Sequence, residues 1–358
     1  MDSRTSRAWV EVDLEAIRRN ARSIARQSGR PLIPMIKADA YGHGAVPVAR
    51  ALIPENPWGF GVATVAEAGE LRAAGVTNRI LIFSPTLPWD FAAIREVGAT
   101  PTLGSPATID DWIATGGGAW HLAIDTGMHR AGIEWHRVGE LADQVRRLPP
   151  EGAFTHFHSA DANDGSMAVQ QDRFRQALAV LPARPLVLHA ENSPGVERQG
   201  PSPWDVVRPG VFLYGVGGAS GSMLQPEPVA HLRARVVDVH DVPVGEGVSY
   251  GATWRAERPS RIATLPIGYA DGYRRAFSSR GTVLLNGRRA PVVGRVTMDM
   301  TMVDVTDVPC AAGDVATLLG RAGDDHLDIN VIAEEVGLLS YELLVGLKLR
   351  VPRIYVGT

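Results

Sequence analysis

Strand-like and helix-like segments alternate from the first residues of this 358-residue chain to about residue 215, and there the alternation stops. Residues 9–12 read as a strand. Leu14, Ile17, Ala21 and Ile24 follow at helical spacing behind Asp13, a residue type that caps helices. Apolar runs at 31–37, 58–63, 79–83, 99–103, 120–124, 153–158 and 186–189 are then separated by segments of helical character. The helix at 64–74 is opened by a capping box of Thr64 and Glu67. Such a repeat builds parallel strands joined by crossover helices. The number of units suits a closed, eight-stranded (β/α)8 barrel of the TIM type better than an open sheet. No Gly-x-Gly-x-x-Gly opens the first helix, as a dinucleotide-binding sheet would need.

A stretch rich in Gly, Ser and Pro at 219–228 reads as a linker. Beyond it, strand-like runs at 229–239, 261–266, 282–285, 290–296, 301–305 and 315–319 are broken by turns such as Asn286-Gly287. Helices are predicted only at 329–336 and 341–348. The expected organisation is therefore α/β: a (β/α)8 barrel over 8–226, then a mostly β domain over 227–358, with residues 1–7 as a candidate addition to the second unit.

Charge and composition exclude several classes of partner. With 36 basic and 39 acidic residues, no basic excess favours nucleic acid or an acidic membrane surface. No apolar run is long enough to span a bilayer, and the polar N-terminus lacks the apolar core of a signal peptide. One cysteine, Cys310, allows no intrachain disulfide and fits a reducing compartment. A cytoplasmic protein acting on a small molecule is expected.

Polar residues collect where the predicted barrel strands end: Lys37, Asp125, His156, His189 and Arg208. Barrel enzymes place their active sites at that rim. Lys37 directly follows an apolar strand and precedes Tyr41-Gly42-His43-Gly44, where two glycines would let the backbone approach a ligand. A desolvated lysine has a lowered pKa and becomes a Schiff-base nucleophile.

Taken whole, Lys37-Ala38-Asp39-Ala40-Tyr41-Gly42-His43-Gly44 resembles the signature of alanine racemases, two-domain enzymes of the barrel class that uses pyridoxal 5'-phosphate. Five further groups of motifs recur in the family's order. They are Asp125-Thr126-Gly127-Met128-His129-Arg130; Thr155-His156-Phe157; Asn192-Ser193 with Arg208-Pro209-Gly210; Val248 to Thr253 with Pro266 to Gly272; and Gly294 to Asp299 with Arg350-Val351-Pro352-Arg353. The resemblance implies that Lys37 carries the cofactor covalently and that Arg208, supported by His156, donates to its pyridine nitrogen. Tyr41, Ser193 and the backbone N–H groups of Gly210 and Val211 would hold the phosphate. Arg130 would face the cofactor's phenolic oxygen and the substrate carboxylate, which Met298 of a partner subunit also binds. Tyr250 of the partner would be the second base, opposite Lys37, in a head-to-tail homodimer with composite sites. Tyr269, Arg295 and Asp299 would line the access passage. The implied reaction interconverts L-alanine and D-alanine for cell-wall precursors.

Two positions depart from the family pattern. Many relatives carry a carbamylated lysine where this chain has Ala123, so Arg130 is expected to lack that anionic partner; a chloride, another acid or nothing replaces it. Many also carry a tyrosine before Arg-Val-Pro-Arg, where this chain has Leu349. A broad-specificity or serine racemase on the same scaffold therefore stays open. A non-catalytic pyridoxal phosphate carrier, which would lack the second domain, and a decarboxylase are remoter alternatives.

Overall fold

A computed structural model describes residues 6–217, 222 and 224–357. Most of the predicted linker's first half (219–221 and 223), together with 1–5 of the candidate N-terminal addition, lies outside the described residues. Strands Phe60–Val62, Ile80–Ile82, Thr100–Leu103, His121–Asp125, Gly152–Phe154 and Val187–His189 pair in parallel, each with the next, and short Ile133–Glu134 pairs to the side of His121–Asp125. Two irregular staves close the ring. Residues 32–36 bond to Gly61 on one side and to Val207 and Pro209 on the other, and the 205–208 segment bonds back to Leu188 and Glu191. The expected eight-stranded barrel is thus present, and prolines at 34 and 209 keep two of its staves from forming regular ladders.

Helix Leu14–Ser28 packs on the outside of the barrel. Asp13 accepts from the Ala16 N–H at its N-terminus, and Gly29 ends it in a left-handed conformation. Its fully buried Ile17 and Ile24 each contribute about 1.5–3 kcal/mol by leaving water.

The strand just before it corrects the expected boundary. Ala8–Asp13 does not join the barrel; it pairs antiparallel with Ala230–Arg235 and parallel with Arg353–Val356, in the middle of the second domain's sheet. The order of that sheet is Arg288–Pro291, Thr282–Leu285, Val315–Ala322, Ala230–Arg235, Ala8–Asp13, Arg353–Val356. Local alternation identified the strand, but its partners lie more than 200 residues away in sequence, where a linear reading has no signal.

A three-stranded sheet (Asp238–Val242, Ser260–Leu265, Thr301–Asp304) completes the β domain. One apolar core runs through both domains, from Ile17 and Leu52 to Leu232 and Leu318, so the two pack as one body. No helix among the described residues is long and apolar enough to cross a membrane.

Candidate active site

Lys37 leaves its stave on a left-handed turn. Ala38, Asp39, Ala40 and Tyr41 all have φ between 51° and 54°. Non-glycine residues in this region cost about 1–2 kcal/mol each, and four in a row persist only where the surroundings over-determine them. The surroundings here do so. The Ala40 N–H donates to the Ile36 carbonyl at 2.9 Å and the Gly44 N–H to the Asp39 carbonyl at 2.9 Å. Asp39 Oδ1 accepts from the Ala45 N–H at 2.7 Å, and Glu67 Oε1 accepts from the Ala38 N–H at 2.8 Å. The rings of Tyr41 and His43 both stack on buried Tyr214, with centroids 4.9 Å apart in each pair, and the Tyr214 hydroxyl donates to the Met35 carbonyl.

The glycines of this turn serve a different neighbour from the one expected. A Cβ on Gly42 would lie 2.5 Å from the Leu344 carbonyl oxygen, and one on Gly44 would collide with the Tyr355 hydroxyl. Both have positive φ. They admit the second domain, not a ligand. The Arg353 guanidinium locks that junction by donating to the carbonyls of Gly42, Leu347, Lys348 and Val351.

Around Lys37 the barrel rim is cationic. Burial, and after it the Arg130 guanidinium, pulls the Lys37 amine below the ordinary lysine range, against a smaller pull from Glu67. Arg130 is exposed and has no hydrogen bond or ion pair among the described residues. Arg208 is 3 % exposed. Its Nη1 donates to His189 Nδ1 at 2.9 Å, and its Nη2 to the carbonyls of Thr155 at 2.8 Å and Ala190 at 3.0 Å. His156 Nδ1 lies 3.4 Å from the same Nη2, so His156 supports Arg208 more weakly than His189 does. Burial, reinforced by the positive charge of Arg208, drives the His156 pKa down to about 3 and keeps that ring neutral.

Asn192 caps the short helix Ser193–Gln199, and the Ser193 hydroxyl oxygen accepts from the N–H groups of Gly210 at 2.9 Å and Phe212 at 3.3 Å. A hydroxyl that accepts twice keeps its one hydrogen to donate. A Cβ on Gly210 would stand 2.7 Å from the Tyr41 hydroxyl, so glycine is what lets Tyr41 and Ser193 converge there. Burial raises the Tyr41 pKa to about 12, which keeps the phenol a donor. The Gly210 N–H, expected to face a ligand, is spent on Ser193 in this structure. Val211 opens the following 3-10 turn.

The other expected residues form a second group on the β domain. Tyr250 opens a 3-10 turn after left-handed Ser249, and it is 70 % exposed. The Ser249 hydroxyl donates to the Arg295 carbonyl at 2.7 Å. Tyr269 and Ala270 N–H groups donate to the carbonyls of Thr297 and Met298, each at 3.0 Å. Asp299 and Asp271 share the Arg350 guanidinium. Tyr250, Tyr269, Arg295, Met298 and Asp299 thus belong to one surface. No hydrogen bond or ion pair among the described residues joins it to the Lys37 group within the chain.

Residues 12–217 match the family model of the alanine racemase N-terminal domain, and residues 229–355 that of the C-terminal domain. An alanine racemase of Carboxydothermus hydrogenoformans is 40% identical over 370 residues, covering 97% of this chain and 99% of the relative. The chain belongs to the alanine racemase family. The crystal structure of alanine racemase from E. faecalis superposes with a TM-score of 0.92 at 32% identity, over 98% of each chain. That of the Bartonella henselae racemase, described with covalently bound pyridoxal phosphate, superposes at 0.90 and 29% identity, over 98% of this chain and all of the other.

Within the family's frame, sequence reasoning missed three contributors. His189 was visible as a strand-end histidine without a role. Glu67 read only as a capping-box residue, yet one of its oxygens holds the turn behind Lys37. Arg353 stood in a motif with no hint that it ties the domains together.

Proposed function

We propose that this chain is a pyridoxal-phosphate-dependent racemase that interconverts L- and D-alanine through two bases on opposite faces of the substrate. The observation that carries the reading is the convergence, on one barrel rim, of a desolvated lysine, a two-hydroxyl cradle and a buried arginine. These residues fit the cofactor. Tyr41 and Ser193 would hold its phosphate, Lys37 its carbonyl carbon, and the remaining N–H groups of Arg208 its ring nitrogen. When bound, the cofactor supplies an electron sink that acidifies the Cα–H bond of a joined amino acid.

The chain's own groups do the rest. Lys37, whose charged form is disfavoured by burial and by the Arg130 cation, takes or returns a proton on one face. Arg208 has no acceptor and keeps its protons, so it orients the ring without protonating it and favours return of the proton to Cα. Arg130, without a hydrogen bond or ion pair among the described residues, is the cation available to the substrate carboxylate. The second base is Tyr250. Its exposure, and the absence of any hydrogen bond or ion pair between its surface and the Lys37 group among the described residues, support a head-to-tail homodimer in which it serves the partner's lysine, with Met298 beside it. Tyr269, Arg295 and Asp299 would then line the access passage.

A second reading concerns the substrate. Leu349 is 86 % exposed beside the Arg350 link and offers no hydroxyl, which favours tolerance of amino acids larger than alanine, serine first. A chiral assay over L-amino acids with added cofactor tests both readings. Alanine turnover that vanishes in Lys37→Ala is the expected result. The absence of solvent-deuterium uptake at Cα of every amino acid would instead mark a carrier protein.

A further inference from the structure

The bore of the barrel holds a polar line. TIM-type barrels fill this space with layers of branched apolar side chains. Here Ile33, Leu81 and Val206 make only part of the filling. Arg208, His189 and His121 run through the remainder, all buried. Arg208 Nη1 is 2.9 Å from His189 Nδ1, and His189 Nε2 is 2.8 Å from His121 Nδ1. His121 Nε2 then faces Glu151 Oε2 at 3.7 Å, longer than a hydrogen bond, and has no hydrogen-bond partner among the described residues. Glu151 precedes strand Gly152–Phe154, at the end of the barrel opposite the site, where Arg79 stands 3.8 Å from it and lies over Trp58.

Chemistry fixes the direction of this line. Arginine can only donate, so His189 Nδ1 must accept and its proton must sit on Nε2. That proton can go only to His121 Nδ1, which places the His121 proton on Nε2, facing the carboxylate. Both rings are neutral in this arrangement, and burial of each disfavours its charged form.

The surroundings are shaped to hold the line. Phe154 lies flat against His189 (5.2 Å, 4°), while Phe154 and Phe83 flank Arg208 at 5.3 and 5.7 Å. A Cβ at residue 152 would strike the His121 ring, and glycine stands there. No carboxylate lies within ion-pair distance of Arg208 among the described residues, and burial pushes neighbouring Glu191 toward its neutral form.

We propose that Arg208, His189 and His121 form one directional hydrogen-bond relay whose far end, the otherwise unpartnered His121 Nε2, is oriented by the Glu151 carboxylate 3.7 Å away, so that His121 and Glu151 are positioning residues for the racemase site at the other end of the barrel. Glu151 draws the line of N–H donors toward itself and so fixes where the Arg208 guanidinium points. The kinetic half of this inference rests on the racemase reading; the relay itself does not.

Selective 15N-histidine labelling of the full-length protein, with and without added cofactor, tests the relay directly. His189 and His121 should both be neutral Nε2–H tautomers from about pH 6 to 9, with slowly exchanging ring protons shifted downfield. An Nδ1–H tautomer at either ring in the wild-type protein overturns the relay. In Glu151→Leu the His189 ring proton should move upfield, and kcat for alanine should fall about tenfold while KM stays within about twofold. In Glu151→Gln, which keeps an acceptor, both should return toward wild type. An unmoved His189 proton in Glu151→Leu overturns the relay, and a moved proton with unchanged kcat overturns the positioning role. If the wild-type protein shows the tautomers but racemises nothing, the functional reading fails and the relay stands.

Discussion

Lys37 and Tyr250 stand on backbone of opposite character. Behind Lys37, four left-handed residues are held by a carboxylate on each side, a stack of three aromatic rings and an arginine that bonds four carbonyls. Tyr250 stands on a short turn in which Ser249 and Ala252 also take positive φ, but the residue itself is mostly exposed to solvent. A nucleophile that must hold a cofactor at one angle needs a rigid mount, and the barrel supplies it from within the chain. The exposed tyrosine carries no such constraint from its own chain. Under the proposed head-to-tail dimer, the partner's docked surface would order it. On the proposed reading, the contrast separates a site half that one chain completes from a half that it only presents.

The most severe way to break this comparison is at the lysine. Lys37→Ala should cost more than about 10⁴-fold in racemisation and abolish the visible absorbance of the bound cofactor, read by spectrophotometry. Tyr250→Phe should lower turnover by about 10²–10⁴-fold while leaving cofactor absorbance intact. Its effect on deuterium exchange should be larger from L-alanine than from D-alanine; equal losses in the two directions would remove the assignment of faces.

Acid should undo the buried half first. Burial takes His43 down to about 4 and His156 to about 3, and lowers His121 and His189 as well. The unfolded chain binds protons near pH 6.5 that these folded rings refuse. Stability therefore falls as pH drops below about 6.5, by about 2 kcal/mol each for His43 and His156 at pH 5. Urea titrations at pH 7.5 and 5 would measure it, and equal midpoints would contradict neutral buried rings.

Gly42→Ala tests the mount itself. Its Cβ would press on the Leu344 carbonyl, so a loss of about 1–3 kcal/mol is expected, with weaker cofactor retention. The smallest effect belongs to Leu349→Tyr. It should shift the ratio of alanine to serine turnover about tenfold toward alanine, within the range that reshaping an apolar pocket allows. An unchanged ratio would separate Leu349 from specificity.

Much of this was legible in the chain. Periodicity marked the barrel strands, and the signature around Lys37 marked the rim. The left-handed turn was not legible, because Ala38 and Ala40 have no local preference for positive φ and one Asp between them does not specify four such residues in a row; contacts from Glu67, Tyr214 and Arg353 impose it. Strand Ala8–Asp13 was legible as a strand but not as part of the β domain, since pairing across the whole chain leaves no local trace. The relay escaped for the same reason: His121, Glu151, His189 and Arg208 are scattered over the barrel sequence, and only closure of the ring aligns them.

The central claim is that the lysine of one chain works with the tyrosine of another. Co-expressing Lys37→Ala chains with Tyr250→Phe chains tests it most directly. In a head-to-tail dimer each mixed pair regenerates one intact site, built from the unaltered Lys37 of one chain and the unaltered Tyr250 of the other. Each variant alone should be nearly inactive, and random pairing should restore about a quarter of wild-type activity. No recovery, with mixed dimers shown to form, would place both bases in a single chain and contradict the account.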